Sequence, residues 1–176
     1  IPAAGSVERG NTVCDYDPLE KAHQHSIKVA VAHLLHRDVL IHLLDTPGYP
    51  DFMGQALCAL DAVETVMVVI DPRKGIELTT HRMMHWAQTR KLCRMIVVNK
   101  IDSPEADLPG ILAEIQSAFG RECLPINLPA GGGSKVTDCF FTPGGESDFS
   151  SVADAHRALV EQVRVQQYDI NYTVIE

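Results

Sequence analysis

The sequence has no Cys-x-x-Cys pair, no apolar run approaching the ~18 residues that span a bilayer, no stretch gathering Lys and Arg into a stripe, and no initiating Met. Each absence excludes something. With a formal net charge of −8 and no basic stripe, broad binding to a phosphate backbone is not expected of this piece, and direct DNA binding is set aside. Five dispersed cysteines, Cys14, Cys58, Cys93, Cys123 and Cys139, form no disulfide framework and suit a reducing cytosol, so a cytoplasmic location is expected. Cys58 and Cys93 read as small buried apolar residues. Without a membrane-spanning run, no membrane partner is expected. The opening Ile1-Pro2 follows no presequence pattern and reads as the start of a fragment or processed piece.

What is present fits one folded unit. At 176 residues the chain can remove roughly 70% of its unfolded surface from water. Two apolar runs of strand length, Val39–Leu44 and Met95–Val98, suit buried strands of a parallel sheet. Each leads directly into a short motif: Asp45-Thr46-Pro47-Gly48 after the first, Asn99-Lys100-Ile101-Asp102 after the second. In open α/β sheets ligands bind outside the carboxyl ends of the strands, which is where both motifs fall.

The residue types in these motifs point to a guanine nucleotide. A carboxylate at Asp45 can hold the water shell of Mg²⁺, a cation that dehydrates reluctantly and is bound through one or two carboxylates plus substrate phosphates. Gly48 lacks a Cβ, so its N–H can approach a terminal phosphate and swing when that phosphate leaves. Asp102 can accept hydrogen bonds from the N1–H and exocyclic amine of guanine, whereas adenine presents an acceptor at the first position and no amine at the second. Asn99 can tie neighbouring loops to the base edge, and the Lys100 stem can lie along the purine face. Taken singly, Asp-x-Pro-Gly is a common turn and Asn-Lys-x-Asp a common solvated loop; their joint occurrence after two strands carries the reading.

The rest of the chain alternates strand and helix. Residues 1–25 have the composition of a mobile loop with a helical turn near Leu19–His23. Ser26–Leu35 and Val39–Leu44 are expected to form a hairpin around His36-Arg37-Asp38, with Val39–Leu44 the inner strand. A helix is expected over Phe52–Val63, a strand over Thr65–Ile70, and a helix from a Thr79 or Thr80 cap to about Lys91, with Met83, Met84 and Trp86 inward. The Met95–Val98 strand follows, then a helix from Asp107-Leu108-Pro109 to Gly120 with Ile111, Leu112, Ile115 and Phe119 as its core stripe. Gly131–Gly133 reads as a flexible connector, Val136–Phe141 as a short strand, and Ser150–Val163 as a helix capped by Asp148 or Ser150. This β-α-β-α-β order implies a mostly parallel sheet. His81 and His85, at i and i+4, have the spacing of a metal clamp but lack further ligands nearby in sequence.

The segments Gly10-Asn11-Thr12-Val13, Asp45-Thr46-Pro47-Gly48-Tyr49-Pro50-Asp51-Phe52 and Asn99-Lys100-Ile101-Asp102 resemble the GTPase domain of the elongation factor G family of translational GTPases, over about residues 5–163. The resemblance implies a P-loop NTPase-type three-layer α/β fold, mostly parallel with one antiparallel edge strand. It divides the chain into a partial GTPase domain (1–129), an inserted subdomain (130–163) and an unassigned tail (164–176). It implies GTP or GDP and Mg²⁺ as ligands, the ribosome as partner, and action as a monomer. Asp45 would serve the Mg²⁺ shell, with Ser26 at the place of a Thr that coordinates the ion in the family, unless Ser26 merely begins a strand. Gly48 would sense the terminal phosphate, and Asn99, Lys100 and Asp102 would hold guanine.

Two departures bear on activity. Tyr49 stands where the family usually carries the His that positions the attacking water; a phenol can donate to or accept from that water but cannot become an imidazolium. It is equally a ring packed under the loop that follows Gly48. The phosphate-cradling string Gly-x-x-x-x-Gly-Lys-Ser/Thr is not in the chain, nor is the family's Ser-Ala guanine loop. The first strand, P-loop and first helix are expected upstream of Ile1, and the fragment by itself is expected to be inactive. A GTPase is the first reading of the parent, and a nucleotide- or ribosome-binding module that does no chemistry is the second. A receiver-like domain phosphorylated on Asp45 is a third, which explains neither Gly48 nor Asp102.

Overall fold

Asp17-Pro18 starts the first helix for reasons local to the sequence. In the computed structural model, which describes residues 5–165 and 174–175, α1 spans Pro18–His23. Asp17 accepts from the Leu19 N–H at 2.9 Å and Glu20 reaches back to the Asp17 N–H at 3.1 Å, a reciprocal cap that satisfies two orphan donors. Gln24, in the left-handed conformation, ends the helix. The described residues fall into two units, divided between Val63 and Glu64.

In the first unit, β1 (Ala30–His36) and β2 (Val39–Asp45) pair antiparallel, with His36 opposite Val39. The two-residue turn Arg37-Asp38 has φ of 48° and 63°, the doubly positive geometry whose twist matches flanking strands. The hairpin is as the sequence suggests, but its burial is not. Val39 is 60% and Leu40 54% exposed, so Val39–Leu44 is not a covered inner strand. Among the described residues β1 is the only strand paired with β2, and a two-stranded ribbon has no interior face to bury. The expected helix over Phe52–Val63 is broken into a 3₁₀ turn (Pro50–Phe52), α2 (Met53–Ala59) and a second 3₁₀ turn (Leu60–Ala62). It buries Ala56, Ala59 and Leu60.

Glu20 organises the segment between α1 and β1. Its side chain is 1% exposed and accepts from the N–H groups of Ile27 and Lys28, both at 2.9 Å, besides that of Asp17. These three donors hold the carboxyl below its usual range. Asp17 in turn pairs with Lys28 at 2.7 Å.

The second unit carries the parallel sheet. β3 (Thr65–Ile70) pairs with β4 (Cys93–Val98), and β4 with β7 (Val174–Ile175), all parallel. Among the described residues the expected single sheet is divided: the β1–β2 ladder stands apart from this parallel sheet. α3 (Leu78–Thr89) follows Glu77 at the cap position, so Thr79 and Thr80 lie inside its first turn rather than capping it; Thr80, Met84 and Ala87 are its buried positions, with Met83 and Trp86 half-buried. α4 (Leu108–Phe119) begins at the Asp107 cap and ends at Gly120 as its sequence indicates, and buries Ile111 and Ile115. Ile70, Met84, Ile96, Val98, Ile101, Ile111, Ile115 and Cys123 form one core.

β5 (Asn127–Ala130), which the Leu124–Pro129 stretch does not reveal because of its two prolines, pairs antiparallel with β6 (Lys135–Asp138). With α5 (Val152–Val165) they close a second core of Leu128, Cys139, Val152, Ala155 and Leu159. Ser151, not Asp148 or Ser150, caps α5, its hydroxyl accepting from Asp154 N–H at 3.3 Å. The buried thiols are Cys123 and Cys139; Cys58 and Cys93 are exposed. Of the unassigned tail, residues 166–173 and 176 lie outside the described residues.

Replacing Glu20 by Ala strips three backbone donors of their acceptor. We expect a loss on the order of 2–3 kcal/mol, read as a lowered urea midpoint in unfolding followed by circular dichroism.

Candidate functional site

The first unit brings together the residues around Asp45, the last residue of β2, whose side chain is exposed. Cys14 lies against it, its thiol donating to the Asp45 carboxylate. Burial first, then Asp45 and Asp15, push the thiol up to about 11. Asp17, close by in sequence, is turned to Lys28 instead. Ser26 Oγ donates to Asp15 Oδ1 at 2.8 Å, and Thr12 Oγ1 donates to Asp15 Oδ2 at 2.8 Å. Ser26 precedes β1 by four residues and is oriented through Asp15, with its oxygen lone pairs left to accept.

This donor set fits a small hard cation. Asp45 and Ser26 offer oxygen, and Mg²⁺ takes one or two protein oxygens, with phosphates and water completing its shell. Among the described residues no group of three or more His, Cys, Asp or Glu is arranged to hold a metal ion. His81 packs its ring 5.2 Å from Phe119, centroid to centroid.

Gly48 and Tyr49 extend from the same loop. Both are exposed, while Pro47 beneath them is buried. A Cβ at Gly48 would meet nothing within 4 Å, so the loop in this conformation does not itself demand glycine. The Tyr49 ring lies 4.6 Å from that of His25, which in turn lies 6.1 Å from Phe52. His25 Nδ1 is 2.9 Å from the His23 carbonyl oxygen. Tyr49 therefore has a packing partner that the sequence does not identify.

The second unit holds the Asn99-Lys100-Ile101-Asp102 loop at the carboxyl end of β4. Asn99 N–H continues the ladder to the Ile70 carbonyl at 2.9 Å, and Asn99 Oδ1 accepts from Lys100 N–H at 2.8 Å. Lys100 takes φ of 59°, and a Ser103 N–H bond to its carbonyl at 3.2 Å closes the turn. Ile101 is buried in the main core, while Asn99, Lys100 and Asp102 are exposed. One apolar side chain thus anchors a loop whose polar side chains face solvent.

Lys100 has company that sequence reasoning misses. Its Nζ lies 3.3 Å from Asp71 Oδ2, and Arg73 makes a forked pair with the same carboxylate. The Arg73 guanidinium, then backbone and Lys100 donors, hold the Asp71 carboxyl well below the usual range. In the sequence Asp71-Pro72 signifies no more than the end of β3. Its signal is positional: a carboxylate at a second strand tip of the same parallel pair.

Because the Asp71 carboxyl is depressed in the folded state, its contribution is complete above its unfolded value near ~4 and is lost as pH falls below that toward the folded value. The stability difference between wild type and Asp71→Asn should therefore shrink on acidification below pH ~4 and stay flat from there to neutrality, measured by urea unfolding across pH.

The comparisons with known proteins bear on the family. The elongation factor Tu GTP-binding domain family matches residues 1–173. An elongation factor G-like protein of Mycobacterium tuberculosis (strain ATCC 25618 / H37Rv) is 32% identical over 177 residues, covering 94% of this chain and 25% of that protein. A mitochondrial ribosome-releasing factor 2 of Culex quinquefasciatus is 31% identical, covering 98% of this chain and 24% of its own length. The chain thus spans about a quarter of the length of the curated relatives it matches. A crystal structure of a Thermus thermophilus protein superimposes with a TM-score of 0.83 at 26% identity, over 100% of this chain and 33% of that one. A bacterial selenocysteine-specific elongation factor, at 17% identity and a TM-score of 0.51 over 92% of this chain and 21% of its own, shares the fold. With its α/β architecture and both strand-tip motifs in place, the chain belongs to the elongation factor Tu GTP-binding domain family of translational GTPases.

Proposed function

We propose that this chain is part of the GTPase domain of an elongation factor G-like translational GTPase, which binds GTP, changes its loops around the terminal phosphate and relaxes after hydrolysis on the ribosome. Residues 1–129 read as the GTPase core and 130–163 as a subdomain inserted in it. The observation that carries the reading is the loop Asn99–Asp102: Ile101 is locked in the core and Asp102 is exposed at the carboxyl end of a buried parallel strand.

Each residue then has a task. The Asp102 carboxylate accepts from guanine N1–H and its exocyclic amine, while Asn99 and the Lys100 stem frame the base. Asp45 and Ser26 would hold Mg²⁺, which would supply positive charge beside the phosphates. The Gly48 N–H donates to the terminal phosphate, and Tyr49 orients the attacking water through its phenol. The residues thereby position and stabilise charge rather than form covalent intermediates. A monomer working in the cytoplasm with the ribosome as partner completes the reading.

A module that binds nucleotide without hydrolysis is the second reading, favoured by the packing of Tyr49 against His25. Phosphate release from GTP by the full-length protein, with and without ribosomes, separates the two: ribosome-stimulated turnover supports the GTPase, and none supports the module. In the same protein Asp102→Ala should lose about 1–3 kcal/mol of the preference for GDP over ADP, by analogy with bidentate base contacts, measured by titration calorimetry. Tyr49→Phe should lower the turnover rate with nucleotide affinity unchanged if the phenol orients water.

A further inference from the structure

The glycine run expected to be a flexible connector is a tight turn with a fixed neighbour. Gly131, Gly132 and Gly133 join β5 to β6 with φ of 63°, 66° and 75°, three successive left-handed residues that a side chain would strain. Gly133 is buried, and a Cβ built there would run into the Ile101 carbonyl oxygen and stand 2.9 Å from the Asp102 backbone nitrogen. The Gly133 backbone is therefore packed directly on the Ile101–Asp102 peptide.

Asp148 holds the turn from the other side. Its carboxylate accepts from Gly132 N–H at 3.1 Å and Gly133 N–H at 2.9 Å, which lowers its pKa. Its own N–H is bonded to the Pro129 carbonyl at 2.8 Å. Ser134 closes the turn with its hydroxyl on the Gly131 carbonyl at 2.8 Å. The Asp102 side chain is exposed, so the backbone that carries it sets its starting direction. That backbone has Ile101 in the core below it and Gly133 beside it.

We infer that the Gly131–Gly133 turn, clasped by Asp148, is a positioning element for base selection: it is the wall that fixes the Ile101–Asp102 peptide and so aims the Asp102 carboxylate at the base edge. The inference rests on the guanine reading of Asp102 above. It adds a task for the 130–148 segment, which couples the second hydrophobic core to nucleotide choice. Gly133 and Asp148 act through Asp102 and are positioning residues.

The test compares GDP with inosine 5′-diphosphate, which lacks only the exocyclic amine, by titration calorimetry on the full-length protein. A change that merely lowers stability scales both affinities alike and leaves their ratio unmoved. Gly133→Ala should lower the GDP-to-inosine-diphosphate ratio roughly tenfold, the worth of one hydrogen bond to a charged group. Asp148→Ala, at an exposed position, should lower it several-fold, with partial recovery in Asp148→Asn, which keeps one acceptor oxygen. Should Gly133→Ala fail to fold by circular dichroism, Asp148→Ala decides alone. A wild-type ratio in the folded variants overturns the inference while leaving the guanine reading intact. A wild-type protein that does not prefer GDP overturns the guanine reading itself, and this inference with it.

Discussion

The burial of Ile101 in the main core is the constraint on which the candidate site depends. β4 is covered over Ile96, Val97 and Val98, and the chain then turns so that Asn99 and Lys100 emerge to solvent before Ile101 returns to pack with Ile70, Val98 and Ile111. Burying that side chain contributes about 1.5–3 kcal/mol, and it also fixes the ends of a four-residue loop. A polar motif on a loop lacking such an anchor would sample many orientations. Here Lys100 takes a positive φ and Asn99 Oδ1 accepts from the next N–H within the turn that returns Ile101 to the core.

Around that anchor the second unit adds constraints from three directions. Asp71 at the tip of β3 holds the Lys100 ammonium, Arg73 completes the charge, and the glycine turn closes on the peptide before Asp102. The first unit orders its candidate residues by different means. Its apolar hairpin is largely exposed, and its order comes from carboxylates that collect donors: Glu20 on three N–H groups, Asp15 on two hydroxyls, Asp17 on Lys28. One set of candidate residues is thus fixed by packing, the other by hydrogen bonds.

Much of this was legible in the sequence where local rules act alone. Asp107-Leu108-Pro109 through Gly120 announced α4 at both ends, Thr65–Ile70 matched β3, and the hairpin around Arg37-Asp38 followed from two apolar stretches flanking a polar turn. Burial was less legible, because it depends on what else is in the fold: Val39–Leu44 has the composition of a covered strand and, among the described residues, is paired with β1 alone. Contacts between residues far apart in sequence were invisible. Nothing local to Gly133 indicates that it lies on Asp102, nor does anything beside His25 indicate Tyr49. The motif residues themselves stood out because two such motifs, each directly after a strand, rarely coincide by chance.

The most direct measurement is a crystal structure of the full-length protein with GDP and Mg²⁺ bound. The account predicts both Asp102 carboxylate oxygens within about 3 Å of guanine N1 and the exocyclic amine, with Asp45 on the phosphate side of the same nucleotide. A guanine base bound away from the Asn99–Asp102 loop, or Asp45 directed away from the phosphates, would contradict it.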